Sequence, residues 1–281
     1  MGPAPEGGAA AREDAMRGWV AGRRWRVPLQ LTALLVAGLV LAGIPADEGA
    51  AAAGVRTAGE GAGRDATLRV MPLGASSTEG VGSPGTAGYR GPLLAELAAD
   101  GVRIDLVGSR RTGPAGMADP DNEGHSGWTL ERMIPRVGAW VARADPDVVL
   151  LHMGTNDVRS GTSGAVAAGR LDALLDNVFA AAPQTHVIVA GIWAPLTAQA
   201  RERAELARLT PGVVARHRGL GRSVEFVDTS SLLAPGDFTD ALHANAGGYR
   251  KIAAMWSTEV VGWLAQRRAA PVRPVDPALS R

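Results

Sequence analysis

The sequence has no cysteine among its 281 residues. Disulfide bonds, thiolate metal sites and thiol catalysis are therefore excluded, although the redox compartment stays open. Basic residues form no run longer than two or three, and the formal net charge is only +1. Because a nucleic-acid surface needs a basic stripe, we expect no nucleic-acid partner.

Clusters of His, Asp and Glu with metal-ligand spacing are also lacking, apart from one Asp–His pair discussed below. We therefore expect neither a metal nor another cofactor. The composition that is present, 46% hydrophobic and 20% charged residues, is typical of one globular domain with flexible ends.

The N-terminal region contains a short apolar stretch behind basic residues. Arg23, Arg24 and Arg26 precede residues 31–44, which are apolar except for Thr32 and too short for a comfortable membrane span. This pattern predicts a secretory signal peptide and an extracellular protein, with an uncleaved membrane anchor as the alternative. We divide the chain into an extension with the signal (1–46), a Gly/Ala-rich linker (47–65), a domain (66–268) and a disordered tail (269–281).

Within the domain, five strand patterns alternate with helical patterns. The predicted strands are 66–74, 104–109, 146–154, 185–192 and 224–230, and the predicted helices are 88–101, 129–145, 164–182, 197–218 and 246–268. Pro135 is expected to end or kink the second helix. The alternation predicts an α/β fold, a three-layer α/β/α sandwich with a five-stranded parallel sheet.

Each of these strands is followed by residues whose side chains can take part in catalysis or binding. They are Ser76, the segment NEGHSGWT (122–129), the segment GTNDV (154–158), Trp193, and the Asp240–His243 pair. Each alone is more often a helix cap or a turn. Because parallel sheets bind ligands at the carboxyl ends of their strands, the five together predict an active site.

The pattern fits nucleophilic catalysis by a serine. A serine hydroxyl becomes a nucleophile when a neutral imidazole accepts its proton, and His243 with Asp240 three residues earlier supplies a base and its orienting carboxylate. The backbone amides of Ser76 and Gly127 and the side-chain amide of Asn156 are candidate donors to an oxyanion.

The other four histidines are weaker candidates for the base. His125 has no acid three residues before it, and His152 lies within a strand, where a hydrogen-bonded core histidine is expected. His186 and His217 lie at a strand start and on a helix, away from the carboxyl edge. His243 is therefore the favoured base.

Together these segments resemble the SGNH (GDSL) hydrolase family. The family's four blocks are matched by GASS, HSGW, GTND and DALH, and the resemblance covers roughly residues 66–268. It implies a flavodoxin-like fold and metal-free esterase or lipase chemistry. It also implies the roles already given to Ser76, Gly127, Asn156, Asp240 and His243.

Three positions depart from the family pattern. Ala75 stands for the aspartate of the GDS motif, Ser77 for the apolar residue after it, and Ala244 for the proline after the histidine. None of them is the nucleophile, so activity is still expected. Within the family, MPLG, GYR (88–90) and DPDNEGHSGW (119–128) are similar to acetylxylan-esterase-like carbohydrate esterases.

The resemblance leaves several functions open. A secreted carbohydrate O-deacetylase is favoured, with lipase, phospholipase, thioesterase or acyltransferase chemistry as alternatives and a non-catalytic carbohydrate-binding surface protein as a different class. Trp128 and Trp193 fall at the active edge and are candidate substrate contacts, although simple packing is as good an explanation. The expected partner is a small or polysaccharide ester, with a membrane only if the N-terminal segment is uncleaved.

Overall fold

A computed structural model describes residues 67–269 of the chain. The predicted signal segment (1–46), the linker (47–65) and all but the first residue of the predicted tail lie outside the described residues. Between residues 67 and 269, no helix is long and apolar enough to cross a membrane.

The centre of the domain is a seven-stranded, mostly parallel sheet. Its strands are β1 (Leu68–Gly74), β2 (Ile104–Leu106), β3 (Arg110–Arg111), β4 (Asp121–Gly124), β5 (Val148–His152), β6 (His186–Ala190) and β7 (Val224–Val227). The order is β3-β4-β1-β5-β6-β7, and β2 pairs with the first half of β1 while β4 pairs with its end. All pairs are parallel except β3–β4.

Seven helices surround or follow these strands. They are α1 (Ser76–Glu79), α2 (Arg90–Ala99), α3 (Leu130–Ala144), α4 (Thr155–Arg159), α5 (Gly164–Ala181), α6 (Ala200–Gly219) and α7 (Ala246–Ala269). Alternate strand residues face opposite layers, as the pleat requires. Val149 and Leu151 pack in a core with α3, α5 and α6, whereas Val148 and Leu150 pack with α2 and α7. The predicted three-layer α/β/α sandwich is confirmed.

The predicted number of strands is wrong. The sheet has seven strands rather than five, because β3 and β4 form a short antiparallel pair whose polar sequences, RR and DNEG, carry no apolar alternation. Of the two effects expected of Pro135, an end or a kink, the end does not occur, since α3 continues through it to Ala144. Apolar residues on one side of α3, including Met133, Val137 and Val141, are fully buried, and this packing holds the helix together across the proline.

Candidate active site

Ser76 begins a short helix directly after the central strand β1. Its Oγ lies 3.0 Å from Nε2 of His243. The next serine, Ser77, is buried, and the hydrogen bond to His243 is made by Ser76. The structure therefore brings only the first of the two adjacent hydroxyls to the histidine.

The loop after β7 supplies the histidine together with its acid. Nδ1 of His243 lies 2.8 Å from Oδ2 of Asp240, and the other carboxylate oxygen accepts the backbone N–H groups of Leu242 and His243 at 2.7 Å. Partial burial raises the pKa of Asp240, but these hydrogen bonds to the ionised carboxylate outweigh it and lower the pKa to about 2. The carboxylate of Asp240 is therefore ionised at neutral pH and can accept the Nδ1–H of His243.

A glycine lets the nucleophile's loop approach the histidine's loop. Gly82 has a φ of +95°, and a Cβ placed on it would lie 2.5 Å from the Ala244 carbonyl oxygen and 2.8 Å from His243 Cβ. Only glycine fits both this backbone conformation and this spacing.

The GTND segment after β5 reaches the same site. The Asn156 side-chain amide donates one hydrogen bond to the Trp128 carbonyl at 2.9 Å, and its second N–H is available to an oxyanion. The neighbouring Asp157 is fully buried and accepts the Leu130 amide at 2.9 Å, at the start of α3, and an Arg170 N–H at 3.0 Å. Desolvation raises the pKa of Asp157, opposed by these two contacts. Asp157 thus joins the GTND turn to α3, a role that the sequence reasoning missed.

Gly127 lies in an exposed turn with a φ of +76°. This turn is tied to the nucleophile's helix by Glu79, whose carboxylate accepts the Ser126 amide at 3.1 Å and pairs with Arg110 at 3.2 Å. Sequence reasoning also missed Glu79, because nothing in the sequence shows that the end of α1 meets residue 126.

These residues surround a small pocket. Ser76, Asn156, Trp128, Trp193 and His243 all line it, and its cavity volume is about 10 Å³. Gly127 is not on the pocket wall, although its neighbour Trp128 is. A space of this size corresponds to about one water molecule or a methyl-sized group.

The two predicted substrate-contacting indoles are already packed against other side chains. Trp193 is 3% exposed and stacks on His152, with ring centroids 3.4 Å apart. Among the described residues, the Trp193 Nε1 and the His152 Nε2 have no hydrogen-bond partner. Burial lowers the pKa of His152 to about 3. His152 is buried as expected, but it is not the hydrogen-bonded core histidine that the sequence suggested.

Trp128 belongs to a second cluster beside the pocket. His125 stacks on it at 4.4 Å and on Trp140 at 4.5 Å, and the His125 Nε2 lies 2.6 Å from the buried Glu123 carboxylate. His125 therefore has an acid partner, Glu123, two residues before it in sequence, although no acid stands three residues before it. His186 and His217 each contact an acid elsewhere in the fold.

An α/β/α sandwich with hydrogen-bonded Ser, His and Asp side chains at the carboxyl edge of its sheet has the architecture of a hydrolase. Residues 73–251 match the GDSL-like Lipase/Acylhydrolase family. The chain belongs to this family, which confirms the resemblance seen in the sequence.

Solved structures extend the comparison. The chain is similar to a Clostridium thermocellum family 3 carbohydrate esterase, with 33% identity, a TM-score of 0.63 and coverage of 71% of this chain and 100% of that one. A family 3 carbohydrate esterase from Talaromyces cellulolyticus gives 25% identity, a TM-score of 0.60 and coverage of 71% and 99%.

A multidomain esterase from Ruminococcus flavefaciens is 26% identical over 245 residues, which is 75% of this chain and 31% of that protein. A second relative, from Acetivibrio thermocellus, is 31% identical over 135 residues. The chain spans 31% and 58% of the lengths of these two relatives.

Proposed function

We propose that the protein is a secreted serine esterase that removes O-acetyl groups from carbohydrate through Ser76, His243 and Asp240. One observation carries the catalytic part: Ser76 Oγ, the His243 ring and the Asp240 carboxylate form a continuous chain of hydrogen bonds of 3.0 and 2.8 Å. The signal-like segment at residues 31–44 supports the secretion part.

In this mechanism, the His243 Nδ1–H donates to Asp240, which leaves Nε2 free to accept the Ser76 proton. Ser76 Oγ attacks the ester carbonyl, and the oxyanion accepts hydrogen bonds from the Asn156 side-chain amide and the Ser76 backbone amide, which both line the pocket. Collapse breaks the bond to the alcohol, which takes the proton from His243. Water, deprotonated by His243, then attacks the acyl-enzyme. Collapse breaks the bond between the acyl carbon and Ser76 Oγ, which takes the proton back from His243, and the carboxylic acid leaves.

The size of the pocket supports a short acyl group. A cavity of about 10 Å³ beside Ser76 accepts the methyl group of an acetyl ester, whereas a longer chain has no enclosed space there. The similarity to two carbohydrate esterases of known structure supports a carbohydrate alcohol as the leaving group.

A panel of p-nitrophenyl esters of rising chain length, run beside acetylated xylan, tests this proposal. We expect kcat/KM to be highest for acetate and to fall by the butyrate ester, and we expect acetate release from the polysaccharide. A preference for octanoate or longer esters, or no release from acetylated carbohydrate, would contradict it.

One observation favours longer acyl chains as a second candidate. A larger cavity of about 60 Å³, with mostly apolar walls, has Met153 in its lining, and Met153 also lines the small pocket beside Ser76. If a chain passes Met153, Met153→Ala raises the kcat/KM for butyrate relative to acetate, and Ala207→Phe in the larger cavity removes that gain. If the substrate is an acetyl ester, neither substitution improves activity on butyrate.

A further inference from the structure

Two guanidinium groups lie over the indole of Trp128, which lines the pocket containing Ser76. The Arg132 Cζ is 4.6 Å and the Arg136 Cζ is 5.1 Å from the ring centroid. Arg136 is fixed further by an N–H donated to the Arg132 carbonyl at 2.7 Å. Both side chains are exposed, so two positive charges lie against the ring of a residue that lines the pocket.

Neither guanidinium has an acidic partner in the described part of the chain. Glu131, which precedes Arg132 in sequence, pairs with Arg170 at 2.6 Å, and Glu79, which holds the turn before Trp128, pairs with Arg110 at 3.2 Å. These two acids are thus engaged by other arginines, and no salt bridge within residues 67–269 neutralises the two charges over Trp128.

Helix stability does not explain these two arginines. Arg132 lies in the first turn of α3, where the helix dipole disfavours a cation. Arg136 follows it by four residues, the spacing at which like charges on a helix repel each other. An anion bound between them would offset both unfavourable interactions. It would reduce the repulsion between the two guanidinium groups, and it would lie near the N-terminus of α3, where the helix dipole favours a negative charge.

We propose that Arg132 and Arg136, held over Trp128, form an anion-binding subsite that takes a carboxylate on the substrate. The guanidinium group presents parallel N–H donors that match the planar carboxylate. This inference rests on the proposed esterase function and narrows its substrate to esters carried by acidic carbohydrate, in which a uronic acid lies next to the esterified sugar.

A pair of small esters that differ only in charge tests the subsite itself. We compare kcat/KM for 4-acetoxybenzoate, an anion, and 4-acetoxybenzamide, which is neutral and similar in shape. In the wild type, the ratio of anionic to neutral kcat/KM should exceed one and should fall as salt is added. In the Arg132→Gln/Arg136→Gln double variant, the ratio should fall roughly tenfold, mainly through KM.

Arg143→Gln is the matched control, since Arg143 is exposed on the last turn of the same helix. It should leave the ratio unchanged. An equal ratio in the wild type and the double variant, or the same fall in Arg143→Gln, would overturn the subsite. Activity on the neutral ester reports folding in every variant.

Acetylated xylo-oligosaccharides with and without a uronic acid side group test the substrate class. We expect faster acetate release from the acidic oligosaccharide and loss of that preference in the double variant. A preference for the neutral oligosaccharide would overturn the assignment to acidic carbohydrate. If neither oligosaccharide releases acetate but the ratio of anionic to neutral kcat/KM on the aryl esters exceeds one, the carbohydrate part of both proposals is refuted. The subsite and the esterase chemistry would then still hold.

Discussion

At the scale of single residues, the turn after β1 is supported differently from the family pattern. Ala75, which replaces the aspartate of the GDS motif, precedes α1 and gives no side-chain cap to it. Instead the fully buried Arg90 donates to the carbonyls of Thr78 and Glu79 at 3.0 and 3.2 Å. An arginine from the next helix thus holds the turn that carries Ser76.

The buried His152 predicts a specific dependence of stability on pH. Its pKa is about 3 in the folded protein against 6.5 for an ordinary histidine. Between these values the unfolded chain binds a proton that the folded protein does not, so the free energy of unfolding falls as the pH falls from 6.5 towards 3. Above pH 6.5 His152 is unprotonated in both states, so it no longer makes the free energy of unfolding depend on pH.

His152→Gln should remove this dependence, which amounts to about 1.4 kcal/mol per pH unit in that window. Urea unfolding of both proteins at several pH values between 7 and 4 measures it. Parallel curves for the two proteins would show that His152 is not held neutral.

At the scale of elements, the site depends on how closely two loops approach. A methyl group on Gly82 would collide with Ala244 and with His243 and would require a strained φ of +95°. We expect Gly82→Ala to move the imidazole away from Ser76 and to lower kcat by about 10²-fold, since misplacement by about 1 Å has that effect.

Gly85→Ala is the control for this prediction, because a Cβ at Gly85 has nothing within 4 Å. It should retain most of the activity. Steady-state kinetics on an acetate ester, with circular dichroism to confirm folding, makes the comparison. Equal activity of the two variants would show that the loops can make room for the methyl group without moving His243 away from Ser76.

The sequence predicted the elements that repeat an apolar pattern and missed those that do not. Five of the strands and the long helices are apolar on their buried faces, so the sequence indicates them. The strands β3 and β4 are polar in sequence, and the short helices α1 and α4 have too few residues to show a period. Ser76, Asn156, Trp128, Trp193 and His243 were placed at one edge by the strand-end rule, and they line one pocket.

Contacts between distant loops could not be predicted in the same way. Glu79 accepting the Ser126 amide and Asp157 accepting the Leu130 amide join segments 47 and 27 residues apart. Such contacts depend on tertiary packing and leave no periodic signal in the sequence. The positioning contacts were therefore found only in the structure.

At the scale of the whole molecule, export is a prediction about the N-terminal region. If residues 31–44 act as a signal peptide, the mature protein should appear outside the cell and begin near Ala46 or the alanines at 50–53. Cell fractionation and N-terminal sequencing measure this. A full-length product in the cytoplasm would contradict it, and a full-length product in the membrane fraction would indicate an anchor.

Independence from metal ions is a second prediction for the whole protein. Among residues 67–269, no group of three or more His, Asp or Glu side chains is placed to hold a metal ion. We expect activity on an acetate ester to survive prolonged incubation with a chelator. Loss of activity that a divalent cation restores would contradict the serine mechanism.

Labelling with a fluorophosphonate probe, followed by peptide mapping, tests the central claim most directly. Only a serine activated by a base reacts, and Ser76 is the one whose hydroxyl lies 3.0 Å from the His243 imidazole. We expect an adduct on Ser76 that persists in Ser77→Ala and is lost in Ser76→Ala and His243→Ala. An adduct on Ser77, or undiminished labelling of His243→Ala, would contradict it.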